Sequence, residues 1–197
     1  MMKKSSLVVA LIGIAVGGYY FYQQNNAVRD TSSQVISKPN ADAIFKARIA
    51  DLAGVRQPLA QWRGKILVVN FWATWCPPCR QEIPEFIALQ KQYGEQGLQF
   101  VGIALDEKAK IQNFVDEVGI NYPILVGDLE AVALAQASGN RMGGLPYTVV
   151  IDQKGNVVAT EMGALSREKL TTIITPLLAK KSALNNPIFM KRLDIKA

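Results

Sequence analysis

Cys76 and Cys79 are the only two cysteines of the chain, and they flank two prolines in the run Trp75-Cys76-Pro77-Pro78-Cys79-Arg80. Thiols three residues apart at the start of a helix bring both sulfurs to one end of it, where a disulfide can open and close. The peptide N–H groups and dipole of that end favour a negative sulfur, and a thiolate is the nucleophile of disulfide exchange. Cys76 is therefore the expected attacking sulfur. Cys79, one turn in and less exposed, is the one expected to resolve a mixed disulfide, and Arg80 is spaced to assist electrostatically. The prolines are tolerated in a first helical turn, yet each removes an N–H donor from the sulfur anion and neither adds a charge. The thiolate should thus be less stabilised than in a strongly oxidising dithiol, which makes the pair a reductant.

Other chemistries fall away. The chain has no histidine, which removes imidazole-based triads, histidine-ligated zinc and the C-x-x-C-H haem signature. Two thiolates alone cannot close a tetrahedral zinc site, and so small a ring adds little entropic stability. No cofactor and no metal is expected, although soft thiolates leave Cu(I) binding open as a function of a different class. The charge balance is 22 Lys plus Arg against 16 Asp plus Glu. The resulting net charge of +6 is dispersed rather than gathered into a basic stripe, so nucleic acid is not an expected partner.

The elements that must position the cysteines follow from hydropathy patterning. The 197 residues, 49% of them apolar, suffice for one domain of ordinary size and a short appendage, not for two full domains. Ile66 to Ala73 is nearly continuous in apolar residues, as a strand covered on both faces requires, and it leads straight to Cys76. Ile83, Phe86, Ile87, Gln90 and Tyr93 then fall at helical spacing until Gly94 and Gly97, and Leu98 to Leu105 makes a second strand. Pro84 should kink or break the intervening helix. Helices are expected over Ile111 to Val118 and Glu130 to Ala137, with a short extended piece at Tyr122 to Val126. Thr148 to Asp152 and Asn156 to Thr160 read as a hairpin, and a helix from Ser166 to Ala179 closes the domain with Ser166 as its N-cap. This is the rhythm of an α/β fold.

At the amino terminus, Lys3 and Lys4 precede an apolar run from Leu7 to Tyr22, and no charge appears from Ser5 through Val28. Sixteen helical residues span roughly 24 Å, so crossing a bilayer core of roughly 30 Å draws on the flanks of the run. Tyr19, Tyr20 and Tyr22 suit an interfacial belt and favour an anchor over a cleaved signal. Residues 1–25 are read as a signal anchor, 26–41 as a polar linker, 42–180 as the folded domain and 181–197 as a tail. The basic end stays inside, which puts the domain on the extracytoplasmic side of a bacterial inner membrane as a single-pass protein, or secreted if the signal is cleaved.

The segment VVNFWATWCPPCRQEIPEF and the later GGLPYTVVID together resemble the thioredoxin superfamily, in particular its membrane-tethered TlpA/ResA-like thiol-disulfide reductases. The resemblance implies a thioredoxin-like fold with a central mixed β-sheet flanked by helices. It implies attack by Cys76 and resolution by Cys79, and a cis Leu145-Pro146 bond facing the disulfide across a substrate groove. Pro146 has no N–H, which leaves the backbone of Leu145 to pair with an extended substrate. Trp75, beside Cys76, offers an apolar contact surface; Trp72 either shares that role or belongs to the core. Glu82 shares a helical stripe with Phe86, Leu89 and Tyr93. It is either a buried carboxyl with a raised pKa that takes a proton from Cys79, as the ResA-like subgroup implies, or an acid favoured by the helix start. Asn70 departs from thioredoxin proper, whose matching position is a buried aspartate. The implied substrates are cysteine pairs in exported proteins such as apocytochrome c, re-reduction coming from a transmembrane electron donor. Oxidation or isomerisation through the same dithiol is the nearest alternative.

Overall fold

The computed structural model describes residues 17–19, 21–22 and 41–184. The chain divides into two units, residues 1–38 and 39–197. Of the first, residues 17–19 and 21–22 are helical, with Tyr19, Phe21 and Tyr22 exposed. The rest of the expected anchor, and all of the expected linker but Ala41, lie outside the described residues. Among the described residues no helix is long and apolar enough to cross a membrane.

The second unit is built on the alternation of side chains along its strands. Helix α1 (Ala41–Lys46) begins at the residue taken as the end of the linker. Strands β1 (Arg48–Ala50) and β2 (Arg56–Pro58) form a small antiparallel hairpin, followed by a 3-10 turn over Leu59–Trp62. Then come β3 (Ile66–Trp72), α2 (Pro77–Tyr93), β4 (Leu98–Ala104), α3 (Lys108–Val118) and β5 (Ile124–Val126). Helix α4 (Leu129–Ala137), strands β6 (Tyr147–Ile151) and β7 (Val157–Met162), and helix α5 (Arg167–Leu184) complete it. The five-stranded sheet has the order β5-β4-β3-β6-β7: β3, β4 and β5 run parallel, while β6 and β7 are antiparallel to their neighbours. This mixed sheet flanked by helices is the expected thioredoxin-like architecture.

All seven residues of β3 are buried, as a central strand should be. Ile66, Val68 and Trp72 pack with Ile83, Phe86 and Leu89 of α2, Phe114 of α3 and Ile174 of α5. Leu67, Val69 and Phe71 point the other way, into a cluster with Ile44 and Phe45 of α1 and Leu134 of α4. The period-two alternation sets which side chains of β3 meet the helix that follows the cysteines. Asn70 falls on the α2 side by the same count.

The three elements taken from the Ile66–Leu105 stretch are found close to expectation, because unbroken apolar runs and a helical stripe are strong signals. Two expectations are corrected. Helix α2 continues through Pro84 rather than breaking there, its first turns being held by Cys79, Glu82, Ile83 and Phe86 on the core side. Helix α5 runs to Leu184, four residues into the segment read as a tail, with Pro176 inside it. Ser166 is the N-cap as expected, its Oγ accepting from the Lys169 N–H at 3.2 Å. Helix α1 and the β1–β2 hairpin are absent from the sequence reading, since three-residue strands and six-residue helices carry no measurable periodicity.

Gly102 shows how tightly the layer behind the site is packed. A Cβ there would lie 2.6 Å from Ile124 Cδ1 and 2.9 Å from the Trp72 indole nitrogen. The Trp72 ring cannot yield, being wholly buried against Phe114 with centroids 5.3 Å apart. Gly102→Ala is expected to cost about 1–3 kcal/mol, read as a lower urea midpoint with the slope of the transition unchanged.

Candidate active site

Strand β3 ends at Trp72, and a short turn, closed by the Cys76 N–H donating to the Ala73 carbonyl at 3.2 Å, carries the chain into α2. Cys76 is the N-cap of that helix, in extended conformation at φ −93° and ψ 106°, and Pro77 and Pro78 are its first two residues. The first helical residue with a peptide N–H is therefore Cys79. The two cysteines are joined as a disulfide with their Cα atoms 5.3 Å apart. Cys76 is 4% exposed and Cys79 fully buried, the asymmetry expected of an attacking and a resolving sulfur.

The sheet register delivers the second half of the site. Strand β6 runs antiparallel to β3, so its amino-terminal end lies where β3 finishes: Phe71 pairs with Tyr147, and Pro146 stands one residue beyond that couple. The Leu145–Pro146 bond is cis. The Pro146 carbonyl accepts from the Gly163 N–H at 2.9 Å, and no hydrogen bond of the described residues engages the backbone of Leu145. Trp75 is 67% exposed, while Trp72 is wholly buried. The two tryptophans therefore divide: Trp75 is surface, and Trp72 is core and offers no contact face.

Glu82 lies one turn after Cys79 on the same side of α2 and is only 2% exposed. Its two oxygens are each fixed by a donor. Oε1 accepts from Asn70 Nδ2 at 2.7 Å, and Oε2 accepts from the Leu165 N–H at 2.8 Å. Asn70 Nδ2 also donates to Thr148 Oγ1 at 3.0 Å, which leaves Asn70 Oδ1 buried without a partner among the described residues. Burial raises the Glu82 pKa from 4.5 to about 7, against the lowering effect of the Leu165 N–H and the Asn70 amide. A carboxyl poised there exchanges protons at neutral pH. Asn70 thus occupies the strand position of the buried acid in thioredoxin proper and donates to a carboxylate contributed by the helix instead.

The Arg80 guanidinium carbon sits 5.4 Å from the centroid of the Phe114 ring on α3. Thr74, two residues before Cys76, is tied by its hydroxyl to the Asp106 carboxylate at the end of β4. A groove of about 470 Å³ opens beside the disulfide, bounded by Trp75, Leu145, Leu105, Val132, Ala135 and Asn140. Leu105, Val132 and Asn140 escaped the sequence reading; the glycines around Asn140 were the available signal that the chain turns closely there. A second concavity of about 450 Å³ lies by Asp51, Trp62 and Leu125; neither cysteine lines either concavity. Among the described residues no cluster of His, Cys, Asp and Glu could hold a metal ion.

A disulfide capping a helix, a cis-proline across from it and a five-stranded mixed sheet beneath define a thioredoxin-like thiol-disulfide oxidoreductase. The chain belongs to the Redoxin family, whose model matches residues 32–174. It is 31% identical over 162 residues to the thiol-disulfide oxidoreductase ResA of Halalkalibacterium halodurans, covering 82% of this chain and 86% of that protein. It is 32% identical over 182 residues to the thiol:disulfide interchange protein HelX of Rhodobacter capsulatus, covering 87% and 93%. The crystal structure of a thioredoxin-family thiol:disulfide interchange protein from Chlorobium tepidum TLS matches with a TM-score of 0.62 at 31% identity, covering 72% of this chain and 98% of that one. The TlpA/ResA-like resemblance seen in the cysteine motif therefore extends over most of the chain.

The raised pKa of Glu82 has a thermodynamic signature. Between 4.5 and about 7 the folded chain holds a proton on Glu82 that the unfolded chain releases. Its contribution to stability is complete below pH 4.5 and is lost as pH rises through about 7, on the order of 3 kcal/mol for a shift of this size. Glu82→Gln should remove that slope. Urea denaturation of the oxidised proteins from pH 5 to pH 8 is expected to show the parent weakening relative to the variant; parallel curves would exclude a carboxyl titrating in this range.

Proposed function

We propose that this protein reduces disulfides in exported proteins, working on the extracytoplasmic side of a bacterial inner membrane to which residues 1–25 tether it. The observation that carries the reductive direction is the helix start at Cys76. Its first two residues are prolines without N–H groups. A thiolate at Cys76 therefore receives less stabilisation than the helix end would otherwise give, and its reduced form gives up electrons more readily.

In the reduced protein the Cys76 thiolate attacks a substrate disulfide, forming a mixed disulfide and expelling one substrate thiolate. Glu82 takes the proton of the Cys79 thiol. The Cys79 thiolate then attacks Cys76 Sγ, closing the Cys76–Cys79 disulfide and releasing the second substrate thiolate. Two electrons leave the dithiol and reduce one substrate disulfide. Trp75 and the free backbone of Leu145, next to Pro146, hold the substrate segment in extended form. A transmembrane electron donor restores the dithiol, and tethering raises the effective concentration of the two partners. Lys3 and Lys4 before a charge-free run support the tether and its orientation. The TlpA/ResA-like resemblance supplies the substrate class, apocytochrome c awaiting haem being one member.

The reduction potential is expected near the roughly −270 mV of thioredoxin rather than the roughly −120 mV of DsbA, and a value at the oxidising end would overturn the direction. Cys79→Ser should accumulate substrates on Cys76 as mixed disulfides in membranes, and their identification by mass spectrometry names the substrates. Glu82→Gln should slow release of those mixed disulfides by roughly ten- to a hundredfold with the fold intact; an unchanged rate from pH 6 to 9 would remove Glu82 from the proton path.

A further inference from the structure

Cations that lie dispersed along the sequence are brought together at the end of the sheet opposite the disulfide. Arg63 and Lys65 stand just before β3, whose far end leads to Cys76. The antiparallel β6 finishes beside them, Ile151 pairing with Leu67, so the turn to β7 that carries Lys154 lies at the same end. Helix α1 closes the group. The Arg63 guanidinium carbon sits 4.0 Å from the centroid of the Phe45 ring, and Lys46 is the next residue and the last of that helix. A Cβ at Gly155 would lie 3.6 Å from Phe45 Cε2 and 3.7 Å from Arg63 Nη1, which brings α1, Arg63 and the β6–β7 turn side by side. Lys46, Arg63, Lys65 and Lys154 are all exposed. The ion pairs among the described residues are Arg56–Glu130, Lys110–Glu107, Arg167–Glu85 and Lys169–Glu161, and none engages this group. Asp152 is the anion of the turn, and its carboxylate is occupied by the N–H groups of Lys154 and Asn156 and by Asn156 Nδ2. Asp42 lies in the first turn of α1, at its other end. Lys91 and Glu95 at the end of α2, and Asp116 and Glu117 at the end of α3, belong to the helix layer across the sheet, with Phe86 and Phe114.

We propose that this basic end, formed by Lys46, Arg63, Lys65 and Lys154, lies against anionic phospholipid headgroups, so that the folded domain itself docks on the membrane with its disulfide edge turned outward. The inference rests on the reading that residues 1–25 tether the chain, and gives the tethered domain an orientation. The chain enters the described domain at Ala41, on the short helix that ends in Lys46, so the tether arrives next to the cations. Even fully extended, residues 26–40 reach at most about 50 Å, which confines the domain to the neighbourhood of the surface and makes its docking intramolecular in effect. Each Lys or Arg close to an anionic surface strengthens association roughly fivefold, and the effect fades within a Debye length of about 8 to 10 Å. Cations gathered at one end therefore orient the domain, whereas the same number spread over its surface would not. Strand β3 spans about 23 Å, so with its start on the headgroups Cys76 is carried away from the bilayer, to the side from which soluble exported proteins approach.

The test uses the full-length protein mixed into vesicles of phosphatidylcholine, with or without about one third phosphatidylglycerol. Lysine amines are labelled with a membrane-impermeant reagent and quantified one by one by mass spectrometry, Lys108 at the disulfide edge serving as the internal reference. At low salt the anionic vesicles are expected to reduce labelling of Lys46, Lys65 and Lys154 by roughly threefold or more relative to Lys108; neutral vesicles should not, and raising the salt to about 0.5 M should abolish the difference. Arg63→Glu combined with Lys154→Glu should cancel the protection of Lys46 and Lys65 while glutathione disulfide is still reduced at the parent rate. Labelling ratios that are the same on both kinds of vesicle, or protection of Lys108 to the same degree, would overturn the docking assignment, and flotation of the parent with neutral vesicles at high salt would leave the tether standing. A chain that floats with anionic vesicles at low salt and never with neutral ones would overturn the tether and uphold the basic end as the membrane contact; one that floats with neither would overturn both.

Discussion

The site depends on a carboxyl group held away from water. Glu82 is shut between the sheet and α2, and burying a carboxylate in such a place is costly unless donors meet it. Two do: the Asn70 amide from the sheet and the Leu165 N–H from the turn before α5. They are too few to offset burial entirely, so the group settles at about 7 rather than as a permanent anion or a permanent acid. The same two contacts tie α2 to the sheet and to the chain segment that supports Pro146 through Gly163. Glu82 and the loop that carries Pro146 are therefore built on a single small network.

Strand direction supplies the rest of the geometry. Parallel strands β3, β4 and β5 deliver their carboxyl ends, and with them Cys76, Leu105 and the start of α4, to one edge of the sheet. In open α/β sheets ligands gather at that edge. The antiparallel β6 arrives there by its opposite end, which is why a residue near position 146 can face one near 76 across two paired strands. Were β6 parallel to β3, Pro146 would stand at the far edge, about the length of a seven-residue strand away.

Much of this was legible in the sequence, and the reasons differ from residue to residue. The stretch from Ile66 to Leu105 showed its strand, helix and strand because long buried elements repeat their pattern many times over. Cys76 and Cys79 were legible from chemistry alone, since few arrangements suit two lone thiols so close together. Glu82 was ambiguous: an acid in an early helical turn has an ordinary explanation, and the contacts that bury it, with Asn70 and Leu165, lie 12 and 83 residues distant in sequence. Trp72 and Trp75 look alike in sequence, yet strand alternation buries one and the turn exposes the other. Arg80 was legible as a neighbour of the helix start, but its contact with the Phe114 ring, on another helix, was not. The groove was invisible, as its walls come from three separate stretches of chain, at Trp75, at Leu105 and from Val132 to Leu145, whose common property is the sheet edge they share.

The charges around Cys76 explain why a helix start does not by itself make a strongly stabilised thiolate. The helix end contributes roughly 0.3–1 kcal/mol in favour of the anion at an exposed position, and two of its donors are missing here. Against it stands Asp106. Burial would raise that carboxyl, yet the Thr74 hydroxyl, the Glu107 N–H and the charge of Lys110 outweigh it and hold its pKa below the usual value, so it is ionised. Its tie to Thr74 places it on the cysteine loop, and two peptide units separate the Cα atoms of Thr74 and Cys76 by at most about 7 to 8 Å. An anion there opposes a thiolate at Cys76, so the two effects are opposite in sign. With two peptide donors missing from its helix end, a dithiol so placed is held in its reduced form less firmly than one whose helix end is complete.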